Sequence, residues 1–117
     1  MSGGIFGQSV VRIRPGTRTT RGGDAIEDWS PAAVTRVLID RLSVQPNFQR
    51  EDVGDIRDLR ATGYRVLSEP GTTPDIKATD RLEYGGTVHA VVGDVARWPD
   101  PHGHDHIEFA MTAWKGA

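Results

Sequence analysis

Apolar and polar positions alternate most cleanly near the end of this 117-residue chain. There Ile107, Phe109, Met111 and Ala113 interleave with Glu108, Ala110 and Thr112. Period two of this kind predicts a strand with one buried face. Upstream, Arg81 to Tyr84 and Thr87 to Val92 read as strands joined by Gly85-Gly86. Both glycines accept positive φ, so a tight type I′ hairpin is predicted. Leu82 and Tyr84 share one face of it, and Val88, Ala90 and Val92 share one face of the partner. His89 is expected at a half-exposed hairpin position. Gly93-Asp94 allows a bend or bulge before Val95 to Trp98. Earlier strands are predicted at Ser9 to Arg14, ending at the turn pair Pro15-Gly16, and at Ala61 to Ser68, with Tyr64 and Val66 on one face.

The intervening segments are less regular. Residues 15–30 read as a long loop, with Arg18 and Arg21 early, Asp24, Glu27 and Asp28 late, and Trp29 as its large apolar anchor. Residues 30–46 carry two signals. Ser30 and Pro31 suit a helix start with Val34, Val37, Leu38 and Leu42 on one face, yet Val34, Thr35, Val37 and Ile39 are β-branched. Extended structure is expected for 42–46, and 32–40 stays open. Residues 47–60 contain seven charged residues and little periodicity, so a mobile loop is expected, with a helical turn at 55–60. The segment 69–74 is a turn-rich connection. About six short strands with long loops and room for one short helix make an all-β domain, a small barrel or sandwich. Residues 1–8 are expected to form a flexible tail.

Composition narrows the function classes. The length suits one domain with a modest core, and 37% hydrophobic residues is sparse enough that self-assembly would help stabilise it. A formal net charge of -2 argues against a protein whose whole surface binds nucleic acid. There is no cysteine, which excludes disulfides and thiolate metal sites. No signal peptide is visible, and no apolar run approaches a membrane span. A soluble protein made in a cytoplasm is expected.

Candidate chemistry is thin. His102, His104 and His106 alternate behind Trp98-Pro99-Asp100-Pro101. On a strand they would face one side, as three imidazoles do at some zinc sites, with Asp100 and Asp105 as outer partners. Pro101 and Gly103 oppose a regular strand there, so these histidines are weak metal candidates and no cofactor is expected. No serine sits in a nucleophile-elbow context, and the glycine pairs match no phosphate loop. The cluster Arg12, Arg14, Arg18 and Arg21, with no acidic residue before Asp24, suits a solvated edge, an acidic partner or a phosphate backbone. Trp29, Trp98 and Trp114 supply at least one core side chain and candidate interface anchors.

The order of features resembles a family. The stretches "VVRIRPGTRTTRGGD", "IEDWS", "LSVQP", "TGYRVLSEPGTTPDIKATDRLEYGGTVHAVVGDVARWPDP" and "HIEFAMTAW" are similar to the head-closure proteins (head-to-tail stoppers, or head-tail connectors) of long-tailed bacteriophages of actinobacteria. The resemblance spans roughly residues 9–114, and none of its telling parts is catalytic. It implies a small β-barrel that forms a ring of six or twelve copies at the head-tail junction of the virion. A portal-adaptor protein would sit on the head side, and a tail terminator or tail tube on the tail side. Such a ring closes the exit channel, touches packaged double-stranded DNA non-specifically and docks the tail, with no membrane and no enzymatic step. On this resemblance Arg14, Arg18, Arg21, Trp29, Arg50, Glu51, Asp52, Asp55, Arg57, Asp58, Arg60 and Trp98 are candidates for the channel or subunit interface. Residues 47–60 are the first candidate for the obstructing loop, and 15–24 the second. The rival expectations are another neck or tail component such as a tail terminator, a small metal-dependent hydrolase using the histidines, and a single-strand nucleic-acid binder.

Overall fold

The computed structural model describes residues 5–53 and 56–115, and for 48–53 and 56–62 the backbone path without side chains. Eight strands follow in order: β1 (Gln8–Arg14), β2 (Gly16–Thr19), β3 (Ala25–Asp28), β4 (Thr35–Val53), β5 (Ile56–Ser68), β6 (Arg81–Tyr84), β7 (Thr87–Trp98) and β8 (His106–Ala113). Six of them close an antiparallel barrel in the order β1-β4-β5-β8-β7-β6, while β2 and β3 pair only with each other. The all-β barrel expectation holds. No helix occurs among the described residues, and Gln8, expected in the tail, already opens β1.

The helical signals fail for identifiable reasons. Ser30 does start a turn, its carbonyl accepting from the Ala33 and Val34 amides at 3.0 and 3.1 Å. Thr35, Val37 and Ile39 then favour the extended backbone that β1 pairs with. The loop expected at 15–30 is a hairpin in its first part, Thr17 facing Glu27 and Arg18 facing Ile26. The loop expected at 47–60 is a two-stranded ribbon with registers from Phe48↔Ala61 to Val53↔Ile56. A ribbon that has left the sheet has no core face to impose alternation, so its period-two signal vanishes.

Inside the barrel lie Val10, Leu42, Val44, Val66, Leu82, Ile107, Phe109 and Met111, joined by Ile76 from the β5–β6 connection. Strand β8 behaves as its pattern predicts, with Ile107, Phe109 and Met111 buried and Ala113 exposed. Gly85 and Gly86 take φ of 60° and 81°, as a type I′ turn needs. The register shift between Val92 and Ala96 contains Gly93-Asp94, the expected bulge. On β7 the inward positions are His89 and Val91, both against the core side, while Val88, Ala90 and Val92 face out. His89 is therefore 4% exposed and not half-exposed. Closure of the barrel buries one face of each strand within it, and a hairpin read in isolation does not reveal that.

Candidate functional site

One rim of the barrel is formed where β6 ends, β7 begins, β8 ends and β5 leaves. From it the β4–β5 ribbon projects. β5 pairs with β8 only from Tyr64 to Leu67, so beyond Gly63 the ribbon pairs with itself. Six residues per strand at about 3.3 Å each give a projection of roughly 20 Å. Gly63 makes the exit possible: its φ is 125°, and a Cβ there would lie 2.1 Å from the Met111 carbonyl oxygen. Among the candidates, Arg50 faces Leu59, Glu51 faces Asp58, Asp52 faces Arg57 and Gln49 faces Arg60 in the ribbon register. Asp55 lies outside the described residues, as do the side chains of the other six.

The ribbon's base is an aromatic cluster. Tyr64 meets Tyr84 edge-on at 5.1 Å between centroids and His89 at 5.5 Å. Gln8 ties it to the strands, donating to the Tyr84 hydroxyl at 2.8 Å and accepting from the Val44 amide at 2.7 Å. His89 Nδ1 is enclosed with no hydrogen-bond partner among the described residues. A recess of about 590 Å³ opens beside it, lined by Gly63, Tyr64, Thr87, His89, Thr112, Ala113 and Lys115.

The opposite rim holds an ion-pair cluster that sequence reading missed. Arg14 grips Asp80 with two parallel bonds, Nε to Oδ1 and Nη2 to Oδ2, both 2.8 Å, and reaches Asp75 at 2.9 Å. Asp80 is 2% exposed and also accepts from the Lys77 amide at 2.8 Å. Arg12 contacts the same Asp75. Hydrogen bonds to Asp80 and Asp75 raise the Arg14 pKa further, and Arg14 in turn holds Asp75 below the usual carboxylate value. The expected basic patch therefore divides. Arg14, a channel or interface candidate, is consumed within the chain, because its strand aims it at the barrel end where 75–80 folds across. Arg18 and Arg21 alone stand exposed, on the β2–β3 hairpin.

Trp29 and Trp114 sandwich the Arg81 guanidinium at 3.6 and 3.9 Å from the ring centroids. Burial there lowers the Arg81 pKa, with Glu27 opposing. Trp29 is thus an intrachain clamp, closing a groove of about 310 Å³ over Ile13, Val34 and Val88. Trp98 is half exposed and stacks on His106 at 6.4 Å. It borders a second groove of about 310 Å³ with Val92, Ala96 and Ala110.

The histidines do not converge. His106 Nε2 bonds Glu108 at 3.0 Å, His104 Nδ1 lies 3.6 Å from Asp100, and His102 is exposed. Asp100 and Asp105 shape the turn instead: Asp105 Oδ1 accepts from the Asp100 amide at 2.7 Å, and Asp100 Oδ1 from the His102 amide at 2.8 Å. Among the described residues no group of three metal-ligating side chains is brought together. Glu108 is held below its ordinary value by His106 first, with Arg65 assisting against burial.

No protein-family model matches the chain, and no curated protein matches it significantly.

Proposed function

We propose that this chain is a structural part of a long-tailed bacteriophage virion, a head-closure protein that forms a ring at the head-tail junction. The observation that carries the reading is the ribbon. A closed barrel supplies a rigid body, and a single long two-stranded projection from its rim, rich in both charges, is a shape suited to reach into a channel and obstruct it. The resemblance along residues 9–114 supports the same role. Contact with packaged DNA would be to phosphates, without base readout. Portal-adaptor and tail proteins would bind the two ends of the ring.

A phage lacking this gene tests the role. Its particles should package DNA, then lose it, and carry no attached tails. DNA-filled heads that stay full and bear tails of abnormal length point to a tail terminator and remove the closure role.

A further inference from the structure

We infer that the β2–β3 hairpin links neighbouring copies of this chain head to tail, the basic β2 edge of one copy lying along the acidic β3 edge of the next. This rests on the ring reading above and gives the ring a contact.

Three observations carry it. First, no backbone hydrogen bond joins Gly16–Thr19 or Ala25–Asp28 to anything beyond their own hairpin among the described residues. Both outer edges thus present unmet donors and acceptors, outside the closed barrel. Second, Thr17, Arg18, Thr19, Ala25, Ile26 and Glu27 are all exposed. A lone hairpin so little covered is marginal in water, and pairing along its edges supplies what it lacks. Third, the edges are opposite in charge. Arg18 lies on β2 with Arg21 in the turn after it, whereas Asp24 directly precedes β3 and Glu27 and Asp28 belong to it. Like edges repel, so two-fold pairing is disfavoured. Unlike edges attract, and their pairing repeats from copy to copy as a ring requires. Strands about 4.8 Å apart gather the hairpins toward an axis, with the wider barrels splayed outside.

The test uses two full-length variants, R18E/R21E and D24K/E27K, each checked for barrel integrity by circular dichroism and thermal melting. Sedimentation velocity at low salt and up to millimolar concentration reads self-association. The wild type should associate, more weakly as salt rises. Each variant alone should associate at least about tenfold more weakly. Their equimolar mixture should recover wild-type association, because every acidic edge then meets a basic one. A wild type that stays monomeric, a variant that assembles like it, or a folded pair that fails to rescue overturns the inference. Particle imaging separates this from the functional reading. Edge-dependent association of a chain absent from the head-tail junction leaves the contact standing and removes the function. A junction ring indifferent to both reversals does the opposite.

Discussion

Replacing Arg14 with methionine is expected to be the most damaging change at the rim opposite the ribbon. The Asp80 side chain is 0% exposed. Among the described residues, two of the three hydrogen bonds it accepts come from Arg14. Bonds to charged groups contribute about 1.5–3 kcal/mol each, and removing one partner of a buried ion pair costs about 3–5 kcal/mol. The Arg14 side chain is 23% exposed, so water enters more readily once it is gone, which favours the lower end, about 3 kcal/mol. At roughly 4 °C per kcal/mol for a domain of this size, Tm should fall by about 12 °C. Urea unfolding followed by tryptophan fluorescence measures it directly, with the midpoint falling and the slope unchanged. The double variant R14M/D80L should lose far less than the two single losses summed, because it leaves no stranded charge. A loss under about 1 kcal/mol for R14M, or additive losses in the pair, would refute the assignment of a buried, coupled ion pair.

Gly63→Ala should cost more than about 2 kcal/mol in the same assay, since both its φ and the Met111 carbonyl oppose a Cβ; wild-type stability would mean the ribbon leaves the barrel differently. His89→Phe should raise stability by about 1 kcal/mol, because a ring that packs between Tyr64 and Tyr84 replaces one with an unpartnered nitrogen. A loss instead would show that the imidazole has a partner in solution. Glu108 has a folded pKa depressed below 4.5, so its contribution is present above that pH and fades as pH falls through the folded value. Tm measured from about pH 3 to 6 should therefore decline less steeply on the acid side in Glu108→Gln. Parallel curves would contradict the His106–Glu108–Arg65 arrangement.

The parts of the fold that were legible in the sequence are those where local chemistry and burial agree. Gly85-Gly86 dictates its turn, and β8 shows its buried face because it has one. The ribbon was not legible, since only β4 and β5 pair along it and no core selects its residues. Nor was the β2–β3 hairpin, whose eight residues bury almost nothing. The Arg14–Asp80 pair spans 66 positions, and nothing near either residue announces the other. The long pattern did carry one hint: Arg12 and Arg14 alternate with Val11 and Ile13, so a closed barrel must turn one of the two sets inward. His89 was misplaced for the converse reason, as a polar residue in a strand suggests solvent until barrel closure assigns its face.

Cryo-electron microscopy of intact particles reads both where the chain sits and how its ribbon is oriented. A symmetric ring of this barrel is expected between the portal-adaptor and the tail, with the β4–β5 ribbon directed at the DNA channel. Density for the chain at the tail tip, its absence from particles, or a ring with the ribbons pointing away from the channel would contradict it.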